Sequence, residues 1–575
     1  MNQAKNCGQK RTWPQVRAGR GLFKTCMALR LLLFSRMNHI NYRVIYRVIL
    51  VMVLLLFSSN KHLLGASNWY VDNSLTNSAN NGTNWASAWT NFGSVHWQYN
   101  YQSEPRVHGG DTLYISGGTS NQVYWDSLYI FGGPDTNTTI TVTPGIDAGH
   151  NGTVIFDGNG AAQQVTNAGF NGFGVGGNGS FSLDGGSFSN FMFQGFYNTN
   201  NRMYAKAIFG SPTHATITRF VVTNCANGIE LNPATDVEIS YFYMTDLNGD
   251  HGMMLTAGSA TPGNVRIHHG IIRSDTTLTA GNGPDGIQPD SGTDIHDITF
   301  WNDPNGREQL GQHPDSIQSG GNNLRIYNNV FHNWTGAAHS ADPPGPTIHD
   351  NVYANNLYVY DNTNFTVCTV ESSGYTALIN SISNIFWLNN TIVDYGAYSS
   401  AGIGYEWDKL RVSQPTVTNF VFANNLFYRV GNGGLSGSVA NFGSYVNTNF
   451  NYTSIMLVSN LTYFDGTQGA AGFNTAGTSG KTWTQIPLMT NQPTFVNYVR
   501  FSTNSDFHLK TSDTAARGQG TNLTTLFGKL GIPTTDLDGN TLPATGNWTI
   551  GAYQSANGNT SLSPPLDFHR VLQSP

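Results

Sequence analysis

The chain has 575 residues, of which only 11% are charged, 12% are aromatic and 65 are glycine. That aromatic content excludes a disordered chain, and Gly with little charge suits a repetitive β-fold rich in turns. The formal net charge is −6 overall, but residues 1–67 hold eleven of the 28 basic residues and no acid, so the rest carries 17 against 34, a net charge of −17, which excludes nucleic acid and anionic membranes as partners.

Residues 1–67 read as a secretory signal peptide. Val48 to Phe57 is an apolar run behind Arg43 and Arg47, and Gly65-Ala66-Ser67 supplies small residues for cleavage. Ten residues are too few for a transmembrane helix, and Met37 opens a leader of ordinary length. The exported part, 68–553, then starts with Trp69-Tyr70-Val71-Asp72 and continues through Gly110-Asp111-Thr112-Leu113-Tyr114-Ile115. Residues 120–210 read as early coils with long loops.

From 227 to 334 one short phrase occurs four times. Asn227-Gly228-Ile229-Glu230-Leu231, His251-Gly252-Met253-Met254-Leu255, Asp285-Gly286-Ile287-Gln288-Pro289 and Asp315-Ser316-Ile317-Gln318-Ser319 stand 24, 34 and 30 residues apart. Each leads into a second apolar run, such as Val237-Glu238-Ile239 or Leu324-Arg325-Ile326. Short β-branched runs at this period predict stacked coils, in which each unit buries its apolar face only against its neighbours. Asn pairs at 328–329, 355–356, 389–390 and 424–425 continue the period. Asn tolerates a left-handed corner, and its amide can bond the same amide one rung on, so these pairs read as a structural ladder. Residues 554–575, rich in Ser, Asn and Pro, read as a disordered tail. Cys225 and Cys368 are the cysteines outside the leader, and they read as buried free thiols rather than a disulfide frame or a metal site.

Stacking the four phrases predicts two files of side chains. Asn227, His251, Asp285 and Asp315 form one at the turn; Glu230, Met254, Gln288 and Gln318 form another on the outer face. Adjacent rungs lie about 4.8 Å apart, so Asp285 and Asp315 become neighbouring carboxylates, flanked by Asp250, His251 and His313. Like charges that close share a proton or bind a cation, which suits a site. The plainer reading is a file of turn formers bonded to their own backbone. His268 and His269 read as strand or turn residues.

The opening Tyr-Val-Asp and Gly-Asp-Thr-Leu-Tyr strands, with Asp536-Leu537-Asp538-Gly539-Asn540 and Ile550-Gly551-Ala552-Tyr553 near the end, resemble secreted bacterial right-handed parallel β-helix proteins of the pectate-lyase-like superfamily. The resemblance implies an all-β, single-stranded solenoid from about 68 to 553. Within it, Pro284-Asp285-Gly286 and Gly311-Gln312-His313-Pro314-Asp315-Ser316-Ile317 resemble the site elements of polygalacturonase-type glycoside hydrolases, with one Asp where that family has two. His339 falls where the family's His would, and Lys409-Leu410-Arg411 reverses its Arg-x-Lys pair.

These readings predict a secreted, monomeric enzyme acting on an extracellular polysaccharide. As a hydrolase it uses Asp285 and Asp315 as the acid/base or nucleophile pair, with His313 tuning them. As a lyase, Asp250, Asp285 and Asp315 hold an optional Ca²⁺, and His251, His313, His339, Lys409 or Arg411 serves as base. Glu230, Gln288, Gln318, Trp334, Lys409 and Arg411 are the expected substrate contacts. A third reading is a passive glycan-binding surface protein, with Trp301, Trp334, Tyr358, Tyr360 and Trp407 stacking on sugars. Clustering of His and Asp within 250–340 favours catalysis.

Overall fold

A computed structural model describes residues 66–98, 105–131, 138–158 and most of 171–554. Within the last span, the segments 177–179, 187–189, 198–204, 257–262, 275–284, 303–314, 333–338, 342–346, 360–367, 371–380, 395–400, 405–415, 431–437, 442–450, 453–454, 464–471, 475–482, 486–488 and 501–503, together with residues 248 and 250, lie outside the description. So do 1–65 and 555–575, which contain the expected leader and tail. Among the described residues no helix is long and apolar enough to cross a membrane.

Among the described residues the strands pair in parallel, except where Phe495–Asn497 meets Asp506–Leu509 antiparallel, and two antiparallel bridges, Gly520 with Trp548 and Thr535 with Thr541, lie beyond the coils. Thr112–Ile115 lies beside Asn68–Val71, so the two opening strands are neighbouring coils. The Asp111 carboxylate fastens them by accepting the Ser67 N–H (2.8 Å), the His108 N–H (2.8 Å) and the Trp69 indole N–H (2.7 Å). One face of the spiral is a nine-stranded sheet running from Leu128–Phe131 through Asn171–Gly176, Lys206–Gly210, Asn227–Leu231, His251–Leu255, Asp285–Gln288, Ile317–Ser319 and His339–Ala341 to Cys368–Val370. The chain is a parallel β-helix.

The remaining faces form one long sheet that bends. His214–Thr223, Val237–Thr245, Val265–Ser274 and Thr293–Asn302 each turn a corner at a residue with positive φ: Arg219, Tyr241, His269 and Asp297. Farther on, the corner passes to Asn328, Asn355, Asn389 and Asn424, where the Asn pairs were expected. Asn329, Asn356, Asn390, Asn425 and Asn460 point inward and bond in series, each Nδ2 donating to the next Oδ1 at 2.9–3.1 Å. This is the amide ladder read from the sequence, and it reaches one rung farther, to Asn460.

The interior is filled by like residues stacked on successive rungs. Ile217, Ile239, Ile267, Ile295 and Ile326 share one register and are all buried. Rings stack the same way: Phe300 on Phe331 at 4.8 Å, and Phe331 on Tyr358 at 4.8 Å. Cys225 is buried and free, its thiol pushed up to about 12 by burial.

The end of the chain is not a coil. A helix at Thr524–Leu530 closes on a left-handed Gly531, and its Phe527 packs against Trp548. This closing segment bonds the Asn corners from outside: the Asn355 amide donates to Thr535 O and the Asn424 amide to Thr521 O.

Candidate functional site

The predicted files exist. His251 pairs with Asp285 and Met254 with Gln288, and Ile287 pairs with Ile317, which places Asp315 beside Asp285 and Gln318 beside Gln288. Buried Ile229, Met253, Ile287 and Ile317 fix the register, because a slip of one residue would turn them to solvent.

At the turn, the side chains clamp the next rung. Asn227 Oδ1 accepts the His251 N–H at 3.2 Å, and Asp285 Oδ1 accepts the Asp315 N–H at 2.8 Å. Asp285 Oδ2 accepts from the Gln288 amide at 2.7 Å, which also donates to Gln318 Oε1 at 2.8 Å. The two carboxyls are unequally placed: Asp285 is 8% exposed and Asp315 only 1%. Asp285 is therefore the less buried of the pair, and it doubles as a turn clamp.

The outer file extends farther than the four phrases. Lys206 pairs with Asn227 and Phe209 with Glu230, while Tyr129 aligns with Gly174, which aligns with Phe209. A Cβ added at Gly174 would lie 2.4 Å from the Tyr129 ring, so the ring lies flat over this strand. One outward line thus runs Tyr129, Gly174, Phe209, Glu230, Met254, Gln288, Gln318. Lys206 Nζ meets Glu230 Oε2 at 2.7 Å and sits 4.6 Å from the Phe209 ring centre; His251 Nε2 lies 3.8 Å from the same Glu230 oxygen. Burial alone would raise the Glu230 pKa, but His251 and Lys206 outweigh it and hold the carboxyl below its usual range. Lys206, Phe209 and Tyr129 were missed in the sequence, although Lys206-Ala207-Ile208-Phe209-Gly210 repeats the same phrase 21 residues upstream of Asn227.

His339 stands elsewhere. It pairs with Ile317, two positions beyond the Asp file, and points into the core, where its Nε2 meets the Tyr358 hydroxyl at 2.8 Å. Burial pushes it down to about 3. This corrects the placement expected from spacing: a side chain sealed among Phe331, Tyr353, Tyr358 and Trp387 is not where a substrate would meet a catalytic histidine. Tyr358 is likewise fully buried and so is no sugar platform, whereas Trp301 is half-buried and stacks on His332 at 4.0 Å. Asp250, His313, Trp334, Tyr360, Trp407, Lys409 and Arg411 lie outside the described residues, and with Asp250 goes the test of the expected Ca²⁺ set.

No protein-family model matches the chain, and no curated protein matches it. Among solved structures it is similar to pectate lyase Pel9A at 13% identity, covering 86% of this chain and 97% of that one, with a TM-score of 0.34. It is similar also to XylC in complex with xylose (8% identity, 85% and 98% covered, TM-score 0.43) and to the GH136 lacto-N-biosidase from Eubacterium ramulus (10%, 76% and 70%, TM-score 0.38).

Proposed function

We propose that the protein is an exported enzyme that hydrolyses an extracellular polysaccharide along the outer face of the nine-stranded sheet. The observation that carries this reading is the single outward line in which the rings of Tyr129 and Phe209 precede Glu230, Gln288 and Gln318, with Lys206, His251 and Asp285 beside it. In a chain with only 11% charged residues, that concentration of ionisable groups on adjoining rungs is more than solubility requires. Aromatic faces suit the apolar side of a sugar ring, and amides suit its hydroxyls.

Hydrolysis needs two carboxyls with unlike roles. Glu230, held ionised by Lys206 and His251, suits the base that activates water. Asp285, whose oxygens accept from the Asp315 N–H and the Gln288 amide, is the second carboxyl on this face. Their strands are two rungs apart, about 9.6 Å at the usual rung spacing, and Asp285 stands three positions before the Glu230 register, so a sugar bound between them spans both files.

A panel of neutral and acidic polysaccharides, assayed with and without chelator, tests the proposal. New reducing ends without an unsaturated product are expected. Glu230→Gln and Asp285→Asn should each lower kcat by about 10²–10⁴, and Asp315→Asn should lower it less. Ultraviolet absorbance from an unsaturated sugar would replace hydrolysis with β-elimination, and retained glycan without turnover would make this a binding surface. Full activity in both Glu230→Gln and Asp285→Asn would move the site off this face.

A further inference from the structure

On the bent sheet, away from the line just described, five aromatic rings and two acids gather at one corner. Ser240, His268 and His296 share a register, followed by Tyr327, and the next position is the corner file of Tyr241, His269 and Asp297. The His268 ring stacks on His296 at 4.8 Å, and His296 stacks on Tyr327 at 4.7 Å. One ligand atom from each of His269, His296 and Asp297 can be chosen so that all lie within 4.8 Å of one another, and all three residues are half-buried.

The hydrogen bonds around these rings are ordered. His268 Nε2 faces Glu238 Oε1 at 3.5 Å, and the tautomer with its proton on that nitrogen is the one that complements the carboxylate. His268 Nδ1 is then bare and takes the proton of His269 Nδ1, 2.8 Å away. The relay leaves the His269 Nε2 lone pair unused. His296 Nδ1 lies 2.7 Å from Asp297 Oδ2, so an ion replacing the proton they share would be held by this nitrogen and this carboxylate together. A carboxylate behind a ligating imidazole, as Glu238 stands behind His269 through His268, is the arrangement that fixes tautomers at metal sites.

The backbone sets His269 and Asp297 at the corner itself. Farther along the spiral the left-handed corner is filled by Asn, which tolerates that conformation. At these rungs it is filled by His269 at φ +55° and Asp297 at φ +55°.

We propose that His269, His296 and Asp297 form a binding site for one divalent transition-metal ion of the zinc class, supported from behind by Glu238 through His268. Two imidazoles and one carboxylate suit such an ion better than Ca²⁺ or Mg²⁺, which prefer oxygen alone. Ligand atoms around tetrahedral zinc stand about 3.3 Å apart at the usual bond lengths, so the site closes by small side-chain rotations. Three protein ligands leave a fourth position for water or a solute oxygen.

The test uses the full chain, freed of metal by chelator and titrated with Zn²⁺ by calorimetry and with Co²⁺ by visible absorption. One Zn²⁺ per chain is expected, with a rise in melting temperature and a tetrahedral cobalt band. His269→Asn and Asp297→Asn keep a residue that tolerates the corner, so they should stay folded by circular dichroism while losing the band and at least 100-fold in affinity. Glu238→Gln should weaken binding 10- to 100-fold and shift the band without abolishing it. His214→Gln, at a half-exposed histidine facing Asp236, should change nothing. Binding no tighter than that of the His269→Asn chain, or binding that survives both His269→Asn and Asp297→Asn, would overturn the proposal.

Discussion

Single residues in this protein are worth what their rung neighbours make of them. Asn390 shows it best. Its Oδ1 accepts the Asn356 N–H at 2.9 Å and the Asn356 amide at 3.1 Å, and its own amide donates to Tyr353 O and Asn425 Oδ1. Every group is buried, so Asn390→Ala strands donors and acceptors on three coils, and we expect a loss of about 3 kcal/mol in denaturant unfolding. Asn390→Asp keeps the acceptors but not the donors and should lie between. This column was legible from sequence because one residue type, with one backbone habit, recurs at the coil period. The corner upstream was not, because it changes identity at each rung, from Arg219 to Tyr241 to His269 to Asp297. His268 and His269, read from sequence as plain strand or turn residues, form part of the proposed metal site; only the fold reveals their neighbours.

Elements are held by matched occupancy across rungs rather than by propensity. Gly270 is the clearest case: it pairs with Phe242, and a Cβ there would stand 2.1 Å from that ring. Gly270→Ala must displace a buried aromatic, and we expect a cost of about 1–3 kcal/mol, measured as a lower unfolding midpoint. Phe242→Leu in the same chain should recover part of it, since the obstruction is the ring. Phrases such as Asp285-Gly286-Ile287-Gln288 revealed the register of their strands directly, because alternation fixes which side chain faces in. His339 was misplaced for the opposite reason. Counting residues across 333–338 cannot set a register, whereas the pairing of His339-Ser340-Ala341 with Ile317-Gln318-Ser319 does. The helix Thr524–Leu530 was also missed: at seven residues its periodicity is too short to compete with the β signal around it.

At the scale of the whole molecule, two sets of histidines pull stability in opposite directions with pH. Burial pushes His332 down to about 4 and His339 to about 3. Their stabilisation is present above pH 6.5, the ordinary value, and is lost as pH falls, by about 2 kcal/mol each at pH 5. His508 behaves inversely. Burial alone would lower it, but Asp538 at 2.7 Å and Asp506 at 2.5 Å push it up to about 9. That contribution is complete below pH 6.5 and fades toward pH 9, a loss on the order of 2 kcal/mol. Melting temperature should therefore peak near neutrality, and His508→Asn should flatten the alkaline limb while leaving the acid limb alone. The closing segment was legible as Asp536 to Asn540, but its bonding to the Asn corners was not, because contacts such as that between Asn355 and Thr535 span 180 residues.

The amide column has a direction. From Asn329 to Asn425 each side chain gives one hydrogen onward to the next amide and the other back to a carbonyl of the preceding coil, so the amide-to-amide bonds all run one way along the axis. Such a string has no preferred length. An added storey fits wherever it brings one asparagine to the same corner, and a deleted storey leaves its two former neighbours able to join. The protein is therefore free to grow or shrink by whole turns over evolutionary time, while a fractional turn would sever the string.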